Sequence, residues 1–160
     1  MKKLLFLGIL LLIGYSIYSY WNTRKTLLVP ATSVIQVGSS SYTIEIADTA
    51  DKKTRGLSGR TQLAANKGML FMFETKDIYA FWMKDMQFPL DFIWIDQDTV
   101  VDITENVPPP LTATYLPRYQ PKQPVDKVLE INAGQVEQNN IKIGDKITLM
   151  LIQKDTTTSK

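Results

Sequence analysis

At 160 residues, 44% hydrophobic and 21% charged, the chain has the size and composition of one globular domain with a single buried core. It contains no histidine and no cysteine, which removes histidine-dependent triads, thiol nucleophiles, disulfides and ordinary zinc sites. Of its 18 basic side chains, Lys2, Lys3, Arg24 and Lys25 fall before Thr26 with no acid among them; the remainder is slightly acidic, without the basic footprint that nucleic acid requires.

Leu4 to Thr23 is uncharged, and about 20 residues of helix span roughly 30 Å, the hydrocarbon thickness of a bilayer. The apolar density peaks between Leu4 and Ile13, which also fits a secretory signal with Gly14 and Ser16 as a small-residue cleavage site. Ile17, Tyr18, Tyr20 and Trp21 prolong the run into an aromatic belt, so residues 1–23 are expected to form an uncleaved transmembrane helix. Lys2 and Lys3 nearly balance Arg24 and Lys25 across the membrane, and the signal-like order favours export. The expected protein is a single-pass protein of the cell membrane with its globular domain extracytoplasmic.

Residues 24–33, with Pro30, read as a short linker, and residues 34–153 as the globular domain. Val34 to Val37 and Tyr42 to Ile46 form a hairpin across Gly38 to Ser41, the second run alternating Tyr42, Ile44 and Ile46 with Thr43 and Glu45. Asp48 or Thr49 caps a short helix over Ala50 to Thr54, which Gly56 ends. A helical turn is predicted at Thr61 to Ala65, then strands at Met69 to Phe73, Tyr79 to Lys84, Phe92 to Ile95 and Val100 to Ile103. Six prolines between Pro108 and Pro124 make Glu105 to Pro124 a long extended loop. A strand at Lys127 to Ile131, a helical turn at Ala133 to Glu137 and a strand at Ile147 to Ile152 follow, before a polar tail, 154–160, expected to be disordered. Many short strands with little helix predict a mainly β fold: a compact antiparallel β-sandwich or barrel with one or two short helices, preceded by the N-terminal transmembrane helix.

Several short motifs follow one another in a distinctive order: Arg55-Gly56-Leu57, Gly68-Met69-Leu70-Phe71 with Phe73, Phe81-Trp82-Met83-Lys84, Pro89-Leu90-Asp91, Val128-Leu129-Glu130, Ala133-Gly134 and Gly144-Asp145. In these the chain resembles the bacterial and archaeal family called domain of unknown function 192, over roughly Ile35 to Leu149. The resemblance implies a compact β-rich domain, commonly exported or membrane-tethered, with no established activity. Two departures stand out: Asp85-Met86 replace a usual Asn-Thr pair, and Lys127 replaces a frequent aromatic.

Without histidine or cysteine, the available chemistry is that of carboxylates, lysine, arginine, hydroxyls, aromatics and thioethers. On an extended Tyr79 to Lys84, Ala80, Trp82 and Lys84 share the face opposite Tyr79, Phe81 and Met83. Trp82 beside Lys84, with Arg55 as a bidentate fork and Asp91 nearby, suits a sugar or an anionic ligand. The structural alternative pairs Arg55 and Lys84 with Asp91 and Glu130 as buried ion pairs. Asp91 and Asp96 are candidate carboxylates for a cell-envelope hydrolase, although their odd spacing puts them on opposite faces of a regular strand; Glu74, Asp85 or Glu130 are possible partners. Met69, Met72, Met83 and Met86 offer soft sulfur for Cu(I), against the commoner role of methionine as core filler. Most of the aromatic run is expected to be core, with Trp82 and Trp94 the two to inspect for exposure. The leading expectation is a binding module rather than an enzyme, with ligand residues Arg55, Trp82, Lys84 and Asp91. Its partners are the membrane, through the N-terminal helix, and a small molecule or envelope protein; no cofactor and no resident metal is implied.

Overall fold

A computed structural model describes residues 32–112 and 115–152. The expected anchor, nearly all of the linker and the polar tail lie outside the described residues. No helix among the described residues is long and apolar enough to cross a membrane.

Seven strands form one sheet: β1 (Thr32–Val37), β2 (Ser40–Ala47), β3 (Lys67–Asp77), β4 (Leu90–Asp96), β5 (Thr99–Val107), β6 (Val125–Asn132) and β7 (Ile147–Ile152). Two short helices accompany them, α1 (Ala50–Arg55) and α2 (Gln135–Gln138). The spatial order is β5-β4-β6-β3-β2-β1-β7. The sheet curls into a half-barrel: the Val100 amide donates to the Asp145 carbonyl, the Gly144 amide to the Val100 carbonyl and the Ile147 amide to the Asp98 carbonyl, so the start of β5 meets the turn into β7. Pairing is antiparallel except between β2 and β3, which run parallel, with Ile44 opposite Gly68 and Ile46 opposite Leu70. The sheet is thus mainly antiparallel, as expected, with one parallel pair, and it is a curled half-barrel rather than a sandwich or closed barrel. The crossover through α1 is what reverses the chain, because a parallel partner needs a connection back to the same end of the sheet.

The central strands are covered on both faces, which explains why Leu90-Asp91-Phe92-Ile93-Trp94-Ile95 shows no apolar-polar alternation and is buried throughout. One face gathers Ile35, Val37, Ile44, Leu70, Ile93, Ile95, Leu129 and Ile131 with Val136 and Ile141 from the α2 segment. The other gathers Met69, Phe71, Phe92, Trp94 and Val128 beneath Leu57, Met83 and Met86. Each fully buried aromatic or aliphatic side chain stabilises this packing by roughly 1.5–3 kcal/mol.

The strand predicted over Tyr79 to Lys84 is instead an extended cover segment with a single bridge, Phe81 to Tyr119, closed by two 2.8 Å backbone hydrogen bonds. It lies over the sheet, not in it, so its hydrogen bonds go to the proline-rich segment. The helical turn expected at Thr61 to Ala65 does not form. That stretch is irregular, and Asn132 Nδ2 holds it by donating to the Leu63 and Ala64 carbonyls at 2.9 and 3.3 Å. The long loop also begins later than predicted, since β5 runs on to Val107.

Candidate functional site

Between α1 and the cover segment, over the face that carries Phe71 and Phe92, lies a hollow of about 320 Å³. Its first wall is α1 and the turn after it. Thr49 caps the helix by accepting from the Lys52 amide, and Gly56 ends it at φ 51°, donating to the Lys52 carbonyl at 2.8 Å. A Cβ on Gly56 would sit 3.2 Å from Phe71 Cζ, so that glycine serves both the left-handed turn and the close approach to the aromatic wall. Lys53 and Arg55 lie on this wall at the rim.

The second wall is the cover segment. Ser58 Oγ donates to the Lys84 carbonyl at 2.8 Å and the Gly59 amide to the Asp85 carbonyl at 2.9 Å, tying it to the turn after α1. Phe71 and Phe81 meet edge to face at 4.8 Å, and Phe73 stacks on Tyr79 at 3.6 Å. Lys53 Nζ sits 4.7 Å from the Phe73 ring centre, and the Arg118 guanidinium 5.5 Å from that of Trp82. Trp82 is 43% exposed and forms part of the lining.

Glu130, which the sequence offers as an ion-pair or catalytic partner, lies on the floor. It stands in mid-β6 between Met69 of β3 and Phe92 of β4, and is only 5% exposed. Its carboxyl has no hydrogen bond or ion pair among the described residues, and it lines the hollow. Burial pushes its pKa up to about 8, against a smaller opposing pull from Arg60. The Arg60 fork itself is engaged by Glu45, at 2.6 and 2.8 Å, an interaction that holds the Glu45 carboxyl below its usual range.

The four ligand residues named from sequence are not all brought together. Arg55 and Trp82 both line the hollow. Lys84 is exposed on the cover segment outside the lining, and Asp91 lies on the opposite face of the sheet. Asp91 is fully buried, with Oδ1 accepting from the Asn106 amide at 2.8 Å and Oδ2 from the Val136 amide at 3.0 Å. Neither Arg55 nor Lys84 pairs with Asp91 or Glu130. Asp96 ends β4 in an ion pair with Lys76. Trp94 is fully buried, its indole N–H donating to Thr104 at 2.9 Å. Of the methionines, Met69, Met83 and Met86 pack on the hollow's side, while Met72 packs against the other layer. The signal that marked Glu130 was in plain view: a lone acid inside the apolar run Val128-Leu129-Glu130-Ile131.

A half-barrel domain with an aromatic hollow over one face and a buried acid on its floor is the class of protein that this geometry defines. The chain belongs to the family described as "Uncharacterized ACR", domain of unknown function 192, whose model matches residues 33–149. Its structure is similar to that of a protein of unknown function from Novosphingobium aromaticivorans, 31% identical, with a TM-score of 0.66 over 72% of this chain and 83% of that one. It is also similar to a "putative transcription regulator" from Sinorhizobium meliloti, 29% identical, with a TM-score of 0.65 over 75% of this chain and 95% of that one. No curated protein matches the chain.

Proposed function

We propose that this is a membrane-anchored, extracytoplasmic binding module whose ligand is a small molecule held in the hollow between α1 and the cover segment. The observation that carries the reading is the hollow itself, about 320 Å³, within the size range of small-molecule sites, with an apolar lining and a few polar groups converging on it. Arg55 and Lys53 at the rim suit an anionic group, and the Trp82 plane suits a ring. The uncharged run from Leu4 to Thr23 supports the anchor.

The carboxylate hydrolase is less well supported, because hydrolysis of that kind needs two carboxyls across a cleft, and Glu130 is the only one lining the hollow among the described residues. A Cu(I) site is disfavoured by Met72, which packs on the other layer. The regulator description of the Sinorhizobium relative finds no support in this chain's acid-leaning, patch-free domain sequence.

The test is capture of small molecules from a metabolite extract by the purified full chain, read by mass spectrometry. Trp82→Ala and Arg55→Ala should lose about tenfold in retention with the melting temperature nearly unchanged, and Lys84→Ala should retain as the parent does. Equal loss in all three, or retention unaffected by any, contradicts the site.

A further inference from the structure

We infer that Glu130 works as a neutral carboxylic acid that donates a hydrogen bond from the floor of the hollow, so that the ligand is a small anion whose apolar body ends inward in an uncharged acceptor oxygen. This rests on the hollow being a ligand site and specifies what that site selects.

The geometry starts from β6. Its alternation sends Leu129 and Ile131 into one apolar layer and Glu130 into the other, where its cross-strand neighbours are Met69 and Phe92. An ionised carboxylate there, without hydrogen bond or counter-ion, loses several kcal/mol of hydration, whereas the protonated acid loses far less and keeps one O–H to offer. The cation whose charge opposes this, Arg60, is already held by Glu45 in a two-pronged pair. The titratable groups lining the hollow are Lys53 and Arg55 from α1, Tyr79 from the cover segment and Glu130 itself; β3 and β4 face it with Met69, Phe71 and Phe92. The rise of the Glu130 pKa to about 8 agrees with the proton staying on at neutral pH. A carboxylic acid kept neutral in an apolar site is an effective donor to a carbonyl.

The alternative occupant is an amine drawn to a Glu130 carboxylate through the aromatic rings. The rim argues against it. Lys53 already lies over one face of Phe73 and Arg118 over one face of Trp82, and Arg55 adds further positive charge, so an entering ammonium meets like charge. Those same cations attract an anion. The ligand is therefore polarised from end to end, negative at the rim and acceptor-bearing at the floor.

The experiment uses the full chain in detergent micelles and three para-substituted benzene probes of similar shape, followed by calorimetry. They are 4-acetylbenzoate, 4-isopropylbenzoate, which lacks the acceptor, and 4-isopropylbenzylamine, which reverses the charge. At about pH 6 the acetyl compound should bind about fivefold to tenfold more tightly than the isopropyl acid. That advantage should vanish near pH 9.5 and in Glu130→Leu, and should survive without pH dependence in Glu130→Gln, whose amide still donates. Because a variant can fail to fold, the carboxyl carbon of Glu130 is also followed by 13C resonance in the parent chain, where protonation at neutral pH is expected. Equal binding of the two acids, or tightest binding of the amine with rising pH, overturns the donor role while leaving the site intact. Failure of every probe to bind at either pH overturns both the donor role and the ligand-site reading beneath it.

Discussion

Asp91 and Glu130 stand on adjacent strands, Asp91 opposite Ile131 and Glu130 opposite Phe92, and their carboxyls leave opposite faces of the same sheet into opposite fates. Asp91 accepts from the Asn106 and Val136 amides, one at each oxygen, whereas Glu130 has no partner among the described residues. One acid holds the frame together and the other is left for the hollow.

Asp91 acts as a cap supplied from outside α2. Gly134 precedes that helix in the left-handed region and has no side chain to offer, so the Val136 amide takes its acceptor from Asp91. Asp91→Ala strands the buried Val136 amide and the part-buried Asn106 amide and should cost about 2–4 kcal/mol in denaturant unfolding. Small-molecule retention at low temperature, where the variant is still folded, should be unchanged.

Glu130 gives the fold a distinctive pH dependence. In the unfolded chain it ionises near its ordinary 4.5, and in the fold it keeps its proton to about 8. Between those values the folded state binds more protons, so stability falls as pH rises, by up to about 1.4 kcal/mol per pH unit, and levels off above the folded value. Glu45, whose pKa is lowered by Arg60, works in the opposite sense and only in acid, where its contribution is lost as pH falls. The difference in stability between the parent and Glu130→Gln, measured across about pH 4.5 to 8.5, isolates the Glu130 term. The variant should gain relative to the parent as pH rises; a flat difference shows that the carboxyl ionises as it would in water.

The strand registers show how much could be read in advance. Alternation at Tyr42, Ile44 and Ile46 and the apolar runs of β3, β4, β6 and β7 located the sheet, and Thr49 with Gly56 bounded α1. The β1–β2 hairpin was legible across its Gly38 turn, but the β2–β3 partnership was not, because a parallel contact there depends on how α1 packs, not on either strand's pattern. The cover segment alternated like a strand since Phe81 and Met83 do face the core, but it covers the sheet rather than extending it. The same pattern therefore described the side chains correctly and the hydrogen bonds wrongly. Of the residues lining the hollow, Arg55 and Trp82 stood out in the sequence as polar and aromatic groups in a dense motif. Glu130 was harder to place, because whether a buried acid is paired is decided by neighbours far along the chain.

Asp85 has φ 56°, in the left-handed region where asparagine and aspartate are the best-tolerated residues after glycine. The backbone there needs a short polar side chain, which aspartate and asparagine supply equally. Asp85→Asn should be nearly neutral in thermal unfolding, and Asp85→Ala should cost about 1 kcal/mol. A fully tolerated alanine contradicts the backbone account.

Gly68 lies against the other side of the floor, where an added Cβ would come within 2.8 Å of the Glu130 carbonyl oxygen and 3.1 Å of Ile131 Cγ2. Since that oxygen belongs to the backbone, β3 and β6 must part to make room. Gly68→Ala should destabilise by about 1–3 kcal/mol and weaken retention along with it, unlike Asp91→Ala.

The most direct test of the account is where a captured small molecule sits when the chain is crystallised with it. The account predicts density between α1 and the cover segment, in contact with Trp82 and within hydrogen-bond reach of the Glu130 carboxyl. Density bound elsewhere on the domain, or a hollow closed by its own side chains when a ligand is present, contradicts it.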